Sequence, residues 1–342
     1  MSEVLVGIEN EVGRIHLNRP RTINALSAGM LAAIAAAVAD FAVDPAVSRV
    51  ELTGEGERGL CAGADVRELR QTVLDGGDPG EFLAAEYTLD LAIAQYPKPY
   101  RALMHGITMG GGLGLSAHSS DRVVTATSRL AMPETQIGLF PDVLMTWRLS
   151  RMPEEVGTHL ALTGDAVNAA DALWLGLADR GLGDLPPAEL EPDHAWITEC
   201  YAGDDPVEIV GRLAQHAHPS ARQAAEALRS RSPLSVHVTL AALRRAATMS
   251  LEEVAEQDLR ICTALALGPD FGEGVRAQLI DRDRNPRWAH TGLEDVAPAE
   301  VADFFQELPT SRWPNGPTPN SRVETLGEAG HQPGRSAYPG HE

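Results

Sequence analysis

The sequence predicts an α/β fold with a helical C-terminal region, on three observations. Short β-type runs alternate with helical stretches from Val4 to about Gly183, the pattern of a sheet wound with helices. An acidic, proline-containing stretch at residues 184–192 then breaks the chain, and residues 195–308 read as predominantly helical. With 44% hydrophobic but only 5% aromatic residues in 342, the interior must rest mainly on Ala, Leu, Val and Ile. That is enough for one large core or two modest ones. The expected organisation is a core at residues 1–185, a helical region at 186–308 and a tail at 309–342.

Residues 4–8 and 13–17 are β-type runs around a polar turn, which predicts a hairpin. Asn18-Arg19-Pro20 ends it. Ser27 is placed to cap an Ala-rich helix from Ala28 to about Phe41, and residues 49–53 form the next strand. Residues 66–94 are mostly helical, with a break at Asp75-Gly76-Gly77-Asp78-Pro79-Gly80. Residues 99–104 and 122–125 read as strands, joined by a glycine-rich turn and a short helix. In the C-terminal region Ser232-Pro233 and Gly268-Pro269 mark helix breaks. Residues 310–342 hold five prolines and five glycines and no apolar periodicity. Such a stretch buries too little surface to offset its ordering entropy, so disorder is expected there. No internal sequence repeat is evident.

Charge narrows the function. The chain carries 28 basic and 48 acidic residues, a net charge of −20. A surface of that sign repels phosphate backbones, so nucleic-acid binding is not expected. Three scattered cysteines, Cys61, Cys200 and Cys262, fit neither a disulfide framework nor a zinc site and read as reduced thiols. No apolar run reaches the roughly 18–20 residues of a membrane span, and the first residues resemble neither a signal nor a transit peptide. A cytoplasmic protein is expected, with no metal and no membrane partner.

Four segments carry candidate chemistry. In Leu60-Cys61-Ala62-Gly63-Ala64-Asp65-Val66, small residues lead from a turn into a helix, which lets backbone N–H groups approach a ligand; the plain alternative is an ordinary turn. In His105-Gly106-Ile107-Thr108-Met109-Gly110-Gly111-Gly112-Leu113-Gly114-Leu115-Ser116 a strand feeds a glycine turn and a helix start, a setting for an anion or a developing oxyanion. The glycine spacing fits neither a dinucleotide fingerprint nor a P-loop. Tight helix–sheet packing would explain it equally. The third segment, residues 131–143, places Glu134 and Asp142 eight apart among apolar residues and two prolines. Carboxyls in such surroundings have raised pKa values and can divide acid and base roles; alternatively Asp142 caps the next helix and Glu134 is solvated. The fourth, Glu86-Tyr87 within a helix, reads by itself as a solvated face. No G-x-S-x-G elbow is present, and the histidines lack metal-ligand spacing.

In combination and order these segments resemble the crotonase superfamily, over residues 4–308, with Asn18-Arg19-Pro20 and Asn24-Ala25-Leu26 similar to its opening signature. The resemblance implies a spiral of strand-strand-helix units, acyl-CoA thioester substrates, and an oxyanion hole made by the N–H groups of Ala64 and Gly111. Coenzyme A would be part of the substrate, with no separate cofactor. Hydratases of the superfamily carry a catalytic Glu on the helix after the glycine turn, where this chain has Gly114. The runs 107–112 and 132–142, together with Asp270-Phe271-Gly272-Glu273-Gly274-Val275-Arg276-Ala277 and Pro286-Arg287-Trp288, resemble the 3-hydroxyisobutyryl-CoA hydrolase branch.

The resemblance thus implies hydrolysis of a short 3-hydroxyacyl-CoA, with Glu134 as nucleophile or base and Asp142 assisting. It also implies that Glu86 lines the acyl pocket and that coenzyme A lies along Arg21, Ala25, Leu26 and Ala62. A homo-oligomer and a role in valine breakdown are further implications. The alternatives are an enoyl-CoA hydratase or isomerase, and an acyl-CoA-binding protein with impaired catalysis. One departure stands out: Leu144-Met145 replace the two glycines usual after Phe140-Pro141-Asp142-Val143, which implies a narrower acyl pocket or an altered helix start.

Overall fold

Alternation in Val12-Gly13-Arg14-Ile15-His16-Leu17 turns Ile15 and Leu17 fully inward, while His16 on the other face bonds Thr53 Oγ1 at 2.8 Å. The same period-2 logic builds the rest of the sheet. The computed structural model describes residues 2–306. Its strands are β1 (Val4–Glu9), β2 (Val12–Leu17), β3 (Arg49–Gly54), β4 (Tyr100–Met104), β5 (Ile107–Met109), β6 (Asp121–Thr125), β7 (Arg129–Ala131) and β8 (Arg180–Leu182). A six-stranded sheet runs β1-β2-β3-β4-β6-β8, and β5 pairs with β7 in a second, smaller layer. Among the described strand pairs only the β1–β2 hairpin is antiparallel; the others are parallel. The expected hairpin and the strands β3, β4 and β6 are present. Short strands β5, β7 and β8 were not expected, because three residues show no period.

The helices of the first half are α1 (Ala28–Val43), α2 (Val66–Leu74), α3 (Pro79–Ala94), α4 (Gly111–Ala117), α5 (Met145–Leu149), α6 (Val156–Thr163) and α7 (Ala169–Trp174). Ser27 caps α1 by accepting from the Met30 N–H, as expected, and Asp78 caps α3, where proline fills the first turn. The C-terminal helices are α8 (Ala195–Tyr201), α9 (Pro206–Gln215), α10 (Pro219–Ser230), α11 (Pro233–Ala246), α12 (Leu251–Leu267), α13 (Pro269–Val275) and α14 (Pro298–Asp303). The two expected breaks fall at N-caps: Ser232 starts α11 and Gly268 starts α13. The expected tail lies outside the described residues.

Twice the chain runs strand, strand, helix, with the first strand in the large sheet and the second in the small layer: β4-β5-α4 and β6-β7-α5. Single bridges extend the small layer from Leu26–Ala64 through Cys61–Thr108 to Leu130–Val167. Ile15, Leu17, Val50, Leu52, Ala102, Met104 and Val124 are fully buried in the large sheet, each large apolar side chain contributing about 1.5–3 kcal/mol. Aromatics are few but central: Tyr87, Tyr100, Tyr201, Phe140 and Phe271 are all fully buried. In the C-terminal part, α12 lies along α3, and the described residues form one compact unit.

Candidate active site

The small layer brings two backbone donors together. Neighbouring lines of this layer run from Cys61 to Ala64 and along β5 into Gly110. Their backbones meet closely at Gly63, where a Cβ would lie 3.1 Å from the Met109 carbonyl and 3.4 Å from the Gly111 nitrogen. Gly110 turns the chain with φ 50° and ψ −126°, a conformation for glycine alone. The next residue, Gly111, begins α4. Among the described residues, the N–H groups of Ala64 and Gly111 donate to no protein acceptor.

Four carboxyl groups gather beside this pair. Glu134 opens a 3₁₀ turn, Glu134–Ile137, directly after Pro133, and its Oε1 sits 2.8 Å from where a Gly110 Cβ would be. Glu86 projects from α3 and fills the space above Gly111, where any side chain would collide with its Oε1. Asp90, one turn further along α3, lies in the same way over Gly114. Asp142 accepts from the Tyr87 hydroxyl at 2.5 Å and from the Cys262 thiol at 3.2 Å. All four are at least nine-tenths buried. Glu86 is therefore not the solvated helix face it resembles in isolation, and Asp142 is no helix cap.

Burial, followed by the neighbouring Asp142, holds the carboxyls of Glu134 and Glu86 well above the usual range. Asp142 is also raised by burial, but its two donors oppose that shift. It is thus the member best equipped to carry negative charge. Glu86 Oε1, Glu134 Oε2 and both Asp90 oxygens have no protein partner among the described residues. Among the described residues no three His, Cys, Asp or Glu side chains converge to hold a metal ion.

The segment after Asp142 is strained. Val143 and Leu144 have φ of 48° and 63°, left-handed values that cost L-residues about 1–2 kcal/mol each. Leu144 holds the N-cap position of α5. The Asp258 carboxylate on α12 secures the turn, accepting from the Leu144 N–H and the Thr146 hydroxyl, both at 3.0 Å. His118 adds a bond from Nε2 to the Val143 carbonyl at 3.2 Å. Burial pushes this imidazole down to about 3, so it is neutral and carries its proton on Nε2. Leu144 and Met145 are both fully buried. The helix start beside Asp142 is thus tight and apolar.

The residues expected to hold coenzyme A occupy the rim. Leu26 is buried against Gly111, and its N–H donates to the Gly63 carbonyl. Ala25 is half-buried, while Ala62 and Arg21 are exposed. Arg21 makes no side-chain bond to the described residues. Its neighbour Arg19 turns inward instead, to Glu3, Asp65 and the Ala25 carbonyl. Arg67, Arg70 and Gln71 on α2 line a surface cleft with Leu279, Ile280 and Arg282. Sequence reading missed that cleft, and it also missed Asp90, Asp258 and Cys262. The signal was available for three of these. Glu86 and Asp90 share a helix face at i, i+4, as do Asp258 and Cys262, in helices that are otherwise apolar there.

Comparison with known proteins places this geometry. A family model described as enoyl-CoA hydratase/isomerase matches residues 12–186 and 181–305. The mitochondrial 3-hydroxyisobutyryl-CoA hydrolase of Gallus gallus is 37% identical, covering 90% of this chain and 89% of its own. The Homo sapiens protein of that name is 33% identical, covering 90% of each. A crystal structure described as a carnitinyl-CoA dehydratase from Mycobacterium thermoresistibile is 40% identical with a TM-score of 0.87, covering 90% of this chain and 97% of its own. Another, described as an enoyl-CoA hydratase from Rhodobacter sphaeroides, is 37% identical with a TM-score of 0.85, covering 89% and 97%. The names of the hydrolase relatives place them in mitochondria, which gives the expected cytoplasmic location no support. No described helix is long and apolar enough to cross a membrane.

Proposed function

The chain belongs to the enoyl-CoA hydratase/isomerase family, and from that premise we propose that it hydrolyses a short 3-hydroxyacyl-CoA thioester, 3-hydroxyisobutyryl-CoA foremost. The observation that carries this reading is at Gly114. Hydratases of the superfamily hold a catalytic Glu there, whereas here the Asp90 carboxyl fills the room a side chain would need, 2.6 Å from a Cβ. Relatives named as hydrolases of this substrate over nine-tenths of the chain support it further.

In this reading the thioester carbonyl lies against the N–H groups of Ala64 and Gly111. These already point at the oxygen where charge develops, so no reorganisation is needed as it forms. Glu134 delivers the oxygen nucleophile, attacking directly or taking a proton from water. The carbon–sulfur bond breaks and the thiolate of coenzyme A takes up a proton. Where Glu134 attacks directly, water then cleaves the acyl–Glu134 anhydride; on either route the hydroxy acid is released with Glu134 regenerated. Asp142, whose charged form is favoured by the donors Tyr87 and Cys262 against the upward pull of burial, assists the proton transfers. Glu86 bounds the acyl pocket. Arg21 and the cleft of Arg67, Arg70 and Arg282 offer positive charge to the phosphates of coenzyme A, offsetting the net charge of −20. A homo-oligomer, a role in valine breakdown and a cytoplasmic location rest on the resemblance and the sequence alone.

A second reading, as hydratase or isomerase, draws on the descriptions of the two solved structures. Free-thiol release from 3-hydroxyisobutyryl-CoA, 3-hydroxypropionyl-CoA and crotonyl-CoA separates the two. The native chain is expected to release thiol from the hydroxy esters, and Glu134→Ala to lose about 10²–10⁴-fold. Loss of the crotonyl-CoA double bond without thiol release would replace the hydrolase with a hydratase.

A further inference from the structure

Glu86 and Asp90 stand four residues apart on α3, on one helix face and one turn apart. Opposite them on α4 stand Gly111 and Gly114, also one turn apart. Each acid fills the room its glycine leaves: Glu86 above Gly111, and Asp90 above Gly114 with its oxygens 2.6 and 2.8 Å from a Cβ there. Asp90 is 0% exposed, and neither of its oxygens has a partner among the described residues. In folded proteins roughly 90% of buried polar groups are paired. An acid with two free oxygens, set beside an oxyanion pair, is built for a partner that comes from outside.

We propose that Asp90 is a specificity-determining residue whose carboxyl binds the hydroxyl of the hydroxyacyl group. The inference rests on the thioester reading above. An α-helix rises about 1.5 Å per residue, so Gly114 lies about 4.5 Å along α4 from Gly111. With the thioester carbonyl at Gly111, a hydroxyl three bonds beyond the thioester carbon falls within one helical turn, beside Asp90. The acid suits an alcohol. Burial first, then the charges of Glu86 and Asp142, hold its carboxyl well above the usual range, which favours the protonated form that both donates and accepts. Asp142 is already engaged by Tyr87 and Cys262. A buried group left unpaired by the wrong ligand rejects that ligand strongly. A rival partner for the substrate hydroxyl is the Tyr100 hydroxyl, buried and likewise unpaired among the described residues, whose pKa is raised by burial and by Tyr96 and Asp90.

The test measures binding without turnover, by calorimetry in a Glu134→Gln chain. Its ligands are 3-hydroxyisobutyryl-CoA and isobutyryl-CoA, which differ only in the hydroxyl. Adding Asp90→Val is expected to weaken the hydroxy ester about tenfold to hundredfold and to leave isobutyryl-CoA unchanged or tighter. Asp90→Asn, which keeps a donor and an acceptor, should retain most of the preference; Asp90→Ala serves if the valine chain does not fold. Equal effects on both esters, or none, would overturn the proposal. So would the same selective loss in Tyr100→Phe. Because binding is read without turnover, absence of thiol release from the native chain would sink the hydrolase reading and leave this result standing.

Discussion

Replacing Tyr87 by Phe removes one oxygen and little else, since the ring is fully buried and keeps its packing. The lost hydroxyl is one of two side-chain donors that favour the Asp142 anion, at 2.5 Å, with the Cys262 thiol at 3.2 Å as the weaker second. A hydrogen bond to a charged group contributes about 1.5–3 kcal/mol, and one pKa unit corresponds to about 1.4 kcal/mol. Asp142 should therefore titrate about 1–2 units higher in the variant. A donor favours the ionised form, so its removal raises the pKa, and the acid limb of kcat/KM for thiol release moves to higher pH by that amount. Above the displaced limb most of the activity should return. A pH–rate profile on 3-hydroxyisobutyryl-CoA measures this directly, with Cys262→Ala expected to shift the limb less. An unmoved limb, or a uniform loss at every pH, would show that Asp142 does not act as an anion poised by Tyr87.

Three further outcomes are expected. Gly138 closes the 3₁₀ turn of Glu134 with φ 76°, and a Cβ there would collide with the Asp270 backbone; Gly138→Ala should destabilise the chain by about 1–3 kcal/mol in urea titration and lower thiol release by displacing Glu134. Leu144→Gly relieves about 1–2 kcal/mol of left-handed strain but removes a buried side chain worth about 2–5 kcal/mol. A net loss of stability with improved turnover of bulkier acyl groups is expected, and unchanged selectivity would show that Leu144 does not narrow the pocket. Asp90→Asn should raise thermal stability more at pH 8 than at pH 5. The buried acid has a raised pKa in the folded chain, so its stability contribution is intact at low pH and is lost as pH rises through the folded value. A shift independent of pH would refute this sign.

The parts legible in the sequence were those governed by local rules. Ser27, Asp78, Ser232 and Gly268 stand at helix starts, and the hairpin and three strands lie where alternation puts them. Glu134, Asp142 and the glycine turn were picked out by residue type, but their meeting with Glu86 is tertiary: it requires α3 to cross α4 at two glycines. Asp90 escaped because an acid in a helix normally faces water; its i, i+4 spacing from Glu86 hints otherwise, and the Gly114 gap gives the reason. Asp258 and Cys262 escaped for a related reason. Across a sequence separation of 120, nothing local shows that α12 will lie beside α3 and deliver a thiol to Asp142. The left-handed pair Val143-Leu144 could not be foreseen either, because β-branched Val and bulky Leu are poor residues for that conformation.

That late delivery limits how this molecule can change. Asp258 and Cys262 come from the C-terminal helices, yet they fasten the turn and the acid at the centre of the site. The two halves of the chain are therefore not interchangeable cassettes. A core transplanted onto a relative's helical half would keep its oxyanion donors and lose the clasp on Asp142 and Leu144. Substitutions on α12 and in the 142–146 turn should accordingly be tolerated as matched pairs far more often than singly.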